Sequence, residues 1–130
     1  MSLPSSFTTQ SLGELTLQDD GQSYCPTNEN QYRFRFHPDG DPESWPSLID
    51  GRCPHLNSNW PSLLAQNPSA INKVLEEAGK KGSDMQLRHL TMEGAGKAIL
   101  LIGLSESEGG LSLEVVLDEQ DAIQSAVITR

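Results

Sequence analysis

From Met85 to Arg130 the chain runs through four short apolar segments: Met85 to Met92, Lys97 to Leu104, Leu111 to Leu117 and Ala122 to Thr129. Turns rich in glycine and acid part them at Glu93 to Gly96, Ser105 to Gly110 and Asp118 to Asp121. Apolar segments of this length between such turns are strand-sized, and connections this short join antiparallel neighbours. The last third therefore predicts a four-strand meander. Within it Leu111, Leu113, Val115 and Leu117 alternate with Ser112, Glu114, Val116 and Asp118, the two-residue period of a strand with one buried face. Ala98 to Ile102 is apolar without a break, which predicts a central strand covered on both faces.

A helix precedes the meander. Ile71, Val74, Leu75 and Ala78 lie at i, i+3, i+4 and i+7 and form one apolar stripe, while Asn72, Lys73, Glu76 and Glu77 point away from it. Asn67 and Pro68 supply a cap side chain and a proline at the first helical position, and Gly79 followed by Lys80 and Lys81 suits a helix end, so the helix is predicted over Pro68 to Ala78. Upstream, Leu15 and Leu17 alternate with polar neighbours before an Asp20-Gly21 turn, and Tyr32, Phe34 and Phe36 alternate with Arg33 and Arg35 up to His37-Pro38-Asp39-Gly40. Asp41 to Trp60 holds Pro42, Pro46, Pro54, Gly51, Asn57 and Asn59, and reads as a long connection anchored by Trp45, Leu48, Ile49 and Trp60. Residues 1–11 read as a partly ordered arm and residues 12–130 as one domain. The expected fold is two-layer α+β: an antiparallel sheet of about five to seven strands with one main helix on one face. Val116 and Ile128 fall opposite their strands' apolar sets, which makes the other face partly apolar as well.

With nine Lys plus Arg against eighteen Asp plus Glu, the chain carries a formal charge of -9, and attraction to nucleic acid or an anionic membrane is unfavourable. No apolar run approaches the roughly 20 residues that cross a bilayer. The N-terminus has neither the basic start nor the apolar core of a signal peptide. A cytoplasmic protein with no membrane partner is expected. The acids concentrate late in the chain: Glu93, Glu106, Glu108, Glu114, Asp118, Glu119 and Asp121 face Lys97 alone.

No motif fixes a chemistry. Cys25, His37, Cys53 and His55 are candidate zinc ligands, but they lack the paired spacing of structural zinc sites; a Cys25–Cys53 disulfide, or two unlinked thiols, uses the same residues. Cys53 beside His37, His55 or His89 would make a nucleophile pair, without any recognisable context around it. Gly94-Ala95-Gly96-Lys97 lacks the first glycine, the Ser/Thr and the following helix of a phosphate loop, and so reads as a hairpin turn. Asp39, Asp41 and Glu43 begin like a calcium loop, yet Ser44 stands where glycine is needed. Glu76-Glu77 and Glu106/Glu108 sit on a wet helix face and in a turn, away from any cleft that would raise a carboxyl pKa.

The expectation is a non-enzymatic interaction module that binds another protein and uses no cofactor. Its candidate contacts are Trp45 and Trp60 in the long connection and Glu106, Glu108, Asp118 and Glu119 on an acidic edge suited to a basic partner surface. A homodimer is also allowed. The alternative is a small enzyme or ligand- or metal-binding domain with a pocket between residues 41–60 and the sheet.

Overall fold

A computed structural model describes residues 3–28, 33–77, 85–104 and 112–129, and among them eight strands join in one sheet. In chain order these are β1 (Ser6–Thr9), β2 (Gly13–Leu17), β3 (Tyr24–Pro26), β4 (Arg33–His37), β5 (Met85–Glu93), β6 (Ala98–Leu104), β7 (Ser112–Leu117) and β8 (Ile123–Thr129). Between β4 and β5 lie α1 (Trp45–Ala65) and α2 (Pro68–Glu77). Spatial order equals chain order, and every neighbouring pair is antiparallel except β4 and β5. That pair is parallel because the chain leaves the end of β4, returns through both helices and enters β5 in the same direction, the crossover that parallel neighbours require.

The C-terminal meander follows the alternation. Leu100 pairs with Leu90 on one side and Val115 on the other, Ile102 with Leu87 and Leu113, and Ala98 with Met92 and Leu117. All of these side chains point to one face and are buried there. Phe34 and Phe36 continue that face through their register with Leu90 and Met92, as Tyr24 and Leu15 do farther across. Both helices pack on this face, and α2 contributes buried Ile71 and Leu75 with Val74 partly covered beside them. Ala78, Gly79, Lys80 and Lys81 lie outside the described residues.

Three expectations change. Residues 6–9, within the segment expected as an arm, form the edge strand β1. The segment from Trp45 to Trp60, where breakers predicted a connection, belongs to the longest helix described, which runs to Ala65. Its apolar residues Trp45, Ile49, Cys53, Leu56, Trp60, Leu63 and Leu64 fall at helical intervals and face the sheet, all buried except the half-buried Trp60. Pro46 sits in the first turn, where no backbone donor is lost, and Pro54 and Pro61 stand on the exposed side. An interior proline costs about 3 kcal/mol. Six buried side chains at roughly 1.5–3 kcal/mol each outweigh two of them, and water can reach the carbonyls that the prolines leave unpaired. The third change concerns β6: its second face, through Ile99 and Leu101, is half-buried without a covering element among the described residues.

Two contacts tie the loops at the sheet ends, one holding the β1–β2 turn to α1 and the other holding the β5–β6 turn to the loop after β4. The Asp50 carboxylate on α1 accepts hydrogen bonds from the Gln10 and Ser11 amides (3.0 and 2.8 Å) and the Ser11 hydroxyl (2.6 Å). Burial alone would push the Asp50 pKa up, but these donors hold it below the ordinary carboxylate value. The clasp is therefore complete above the unfolded-state pKa near 4 and is lost as pH falls through the lower folded value. At the other contact Gly94 donates its amide to the His37 carbonyl at 2.8 Å. A Cβ at Gly94 would lie 2.4 Å from the Asp39 nitrogen, so only glycine lets the two loops meet.

Candidate functional site

The sequence-predicted residues do not gather in one place. Trp45 is 1% exposed, packed at tilted and edge-on angles among Phe7, Tyr24 and Phe36 with ring centroids 5.5–5.6 Å away, and its Nε1 donates to the Asp39 carbonyl at 3.0 Å. Its indole is a core anchor with no surface left for a partner. Trp60 is half-buried on α1 against the same core. Glu106 and Glu108 lie outside the described residues. Asp118 spends its carboxylate on its own turn, accepting from the amides of Gln120 and Ala122 at 2.8 and 2.9 Å, while Glu119 is exposed.

The zinc tetrad and the disulfide are corrected by the sheet itself. Tyr24 and Pro26 turn toward the helices, so Cys25 between them points to the opposite face; His37 is on that face too, following buried Phe36. Cys53 is fully buried between α1 and the sheet, its Sγ 3.4 Å from Met92 Sδ. His55 is on the outer side of α1, half-exposed, beside Asn59 and Asp121. Ligand bonds near 2.0–2.3 Å cannot span a sheet. No disulfide joins the two cysteines, and among the described residues no three His, Cys, Asp or Glu side chains converge on a metal position. The space where a pocket between residues 41–60 and the sheet was envisaged is filled by Trp45, Ile49, Cys53 and Leu56. The Asp39–Glu43 cluster is an exposed cap, Asp41 accepting from the Glu43 amide at 3.1 Å.

Arg52 is the first residue that sequence reasoning passed over. From α1 its guanidinium donates to the carbonyl of Gly96, to the carbonyl of Asp118 (3.1 Å) and to the Asp121 carboxylate. One side chain thus pins the β5–β6 and β7–β8 turns to the helix. Asp121 holds a φ of 63°, a conformation that a non-glycine residue keeps when its surroundings hold it there.

The sheet face opposite the helices, which no described element covers, has a distinct character. Register aligns Arg33, His89, Leu101, Glu114 and Val127 in one row across β4 to β8, and Arg35, Thr91, Ile99, Val116 and Ser125 in the next. Val127 is 48% exposed, and Ile99, Leu101 and Val116 are half-buried. A bulge between Leu87 and His89 adds Arg88, whose guanidinium lies over Gly103 so closely that a Cβ there would be 1.9 Å from Nε. Of the five arginines in the chain, Arg33, Arg35 and Arg88 share this face, against the overall charge of -9. Ile128, expected on this side, pairs with Leu113 and turns to the helices, because the bulge near Val116 and Leu117 shifts the register of β8.

His89 registers the electrostatics of the face. Burial lowers its pKa, and the guanidinium groups of Arg33 and Arg35 lower it further. The folded state therefore refuses a proton that the unfolded chain accepts, so stability present above about pH 6.5 is lost as pH falls from there through the folded value. In an NMR titration, His89 is expected to titrate below ordinary histidine, and Arg33→Gln or Arg35→Gln should move the midpoint up. A midpoint unmoved by either substitution would place the arginines elsewhere.

Beside the turns, Lys97, Val116, Asp118, Glu119, Gln124 and Ser125 border a depression of about 570 Å³ that opens broadly to solvent. Its walls do not close around a small molecule as ligand clefts do. No helix among the described residues is long and apolar enough to cross a membrane. Compared with protein-family models, curated proteins and solved structures, the chain has no significant match.

Proposed function

We propose that this chain is a non-enzymatic interaction module of the cytoplasm that docks another protein on the open face of its sheet. The observation that carries the reading is the pairing of Ile99, Leu101, Val116 and Val127 with Arg33, Arg35 and Arg88 on the side that the helices leave uncovered. Apolar side chains framed by arginine are the composition enriched at protein interfaces. Nucleic acid fits less well. Sheets that read single strands stack bases on aromatic rings, and the aromatic side chains of the described residues sit on the helix side or within its core. The acidic turn at Asp118 and Glu119 borders the same face and would extend the contact.

The test is co-purification of a tagged chain from its own cells, with a second, differently tagged copy of the chain present. Leu101→Asp should abolish stoichiometric capture and leave the melting temperature nearly unchanged, while Lys73→Glu on the exposed side of α2 should change neither. Capture that survives Leu101→Asp, or no stoichiometric protein captured by the wild type, would overturn the reading.

A further inference from the structure

We propose that the occupant of the open face is an acidic segment of a partner protein, laid in extended form along β4 and β5 against Arg33, Arg35 and Arg88 and bordered by Ile99 and Leu101. The proposal rests on the docking reading and names the chemistry of its partner. Charge complementarity carries it. The three arginines are exposed on one side of the sheet, and among the described residues no carboxylate forms an ion pair with any of them. Asp20 feels the Arg35 charge at longer range, but its carboxylate is engaged by the Gln22 and Ser23 amides. In a chain with eighteen acids against nine bases, three cations gathered and left unmatched point to anions supplied from outside.

The spacing suits an extended chain. Arg33 and Arg35 stand two residues apart on β4, about 6.6 Å, the same interval at which alternate side chains repeat along any strand. A segment that follows β4 therefore sets alternate carboxylates against both guanidinium groups, where charge-assisted hydrogen bonds form. The bulge carries the Arg88 guanidinium over Gly103 on β6, so cations stand on both sides of His89. His89 is consistent with that placement: beyond the effect of burial, Arg33 and Arg35 disfavour its charged form, as uncompensated neighbours do.

The acids of the face stand apart from this cluster. Glu114 is on β7, two strands beyond His89, and Glu93 and Asp118 lie in the row at the turn end with Lys97 between them. A segment along β4 and β5 keeps clear of Glu114, and because it needs only the rows of Arg33 and Arg35 it stops short of Glu93. Phosphates would answer the same arginines, but among the described residues this face has no aromatic ring on which bases could stack. Exposed ion pairs contribute little singly, so the contact also needs an apolar border. Ile99 and Leu101, half-buried on the neighbouring strand, supply it.

Short poly-L-glutamate titrated into the full chain at low salt, followed by NMR, tests this. Shifts should map to β4, β5 and the Gly103 end of β6, and the His89 midpoint should rise, because carboxylates facing Arg33 and Arg35 offset the charge that holds it down. Arg33→Gln combined with Arg35→Gln, and separately Arg88→Gln, should each weaken binding by about threefold or more. Glu114→Gln should not weaken it, and Lys73→Gln on α2 should leave it unchanged. Added salt should release the peptide, since these charges are exposed. The double arginine variant should also lose from cell extracts the protein that Leu101→Asp loses. No shift on this face at low salt, arginine variants that bind unchanged, or an oligothymidylate of equal length that binds the arginines more tightly than poly-L-glutamate would overturn an acidic protein segment as occupant. If poly-L-glutamate fails while Leu101→Asp still releases a captured protein, docking stands and the acidic partner falls; if Leu101→Asp releases nothing, both fall.

Discussion

Trp45→Ala is expected to remove about 3–5 kcal/mol of folding stability, the cost of truncating a large aromatic side chain in a packed interior. Few positions in the chain do as many things at once. The indole is 1% exposed and fills the junction of β1, β3, β4 and α1 through Phe7, Tyr24 and Phe36. Its Nε1 closes on the Asp39 carbonyl, which fixes the loop leaving β4, and its backbone opens α1. Alanine would leave a cavity lined by three rings and a carbonyl without its donor. A domain of this size is typically stable by about 5–15 kcal/mol, so the variant should sit near the edge of folding. Urea denaturation at unchanged m-value measures the loss, and Trp45→Phe should restore more than half of it. A loss below about 1 kcal/mol would mean that the aromatic junction is not the keystone of the β4–α1 corner.

Arg52→Ala is expected to cost about 2–4 kcal/mol, for a different reason. Its side chain is 13% exposed, and its partners are two backbone carbonyls and a carboxylate that is 22% exposed. Removing the donor leaves all three acceptors half-desolvated and frees the turn at Asp121, where the backbone sits at positive φ. The damage should be local before it is global. Amide exchange at Gly96 and Asp121, which close the β5–β6 and β7–β8 turns onto Glu93 and Asp118, should accelerate more than exchange in the centre of β6. Asp121→Asn should cost less, about 1 kcal/mol, because two of the three acceptors keep their donor. A double-mutant cycle between the two positions should then show coupling of about 1 kcal/mol or more. Additive effects, or turn amides as protected in Arg52→Ala as in the wild type, would show that the clasp is not holding the turns.

The two elements with clean periodicity were legible from residues alone. Ile71, Val74 and Leu75 repeat at helical intervals after Asn67 and Pro68, and β7 alternates between its faces, so local pattern and tertiary placement agree there; β6, apolar without a break, has only one face covered among the described residues. In α1 pattern and placement conflict. Pro54, Pro61, Gly51, Asn57 and Asn59 outvote the apolar spacing in any local reading, and only the sheet beneath shows that the apolar stripe is buried while both prolines face water. The edge strand β1 has little pattern of its own; Phe7 and Thr9 find their places through pairing with Leu15 and Gly13.

The candidate site was legible in pieces. Arg33 and Arg35 announce a wet strand face and Val116 an apolar residue on the wrong side of β7, but nothing in the sequence places these residues in common rows. That depends on register across β4 to β8 and on two bulges, one of which brings Arg88 onto the open face and the other of which takes Ile128 away from it. The metal tetrad failed for the complementary reason, since residues that share ligand chemistry were assigned by the fold to opposite sides of the sheet. Arg52 gave no sequence signal at all, because its partners are backbone carbonyls in turns 44 and 66 residues away.

Everything proposed for the open face depends on the sheet having one sealed side and one accessible side, and the two native thiols report on both. Cys25 is half-buried on the uncovered face and Cys53 is fully buried under α1. Alkylation of the native protein, followed by mass spectrometry, should attach one label, at Cys25, with Cys53 reacting only as the chain is unfolded in denaturant. Labelling of Cys53 as fast as Cys25 under native conditions, or a disulfide found between them, would contradict the two-faced sheet on which the docking surface stands.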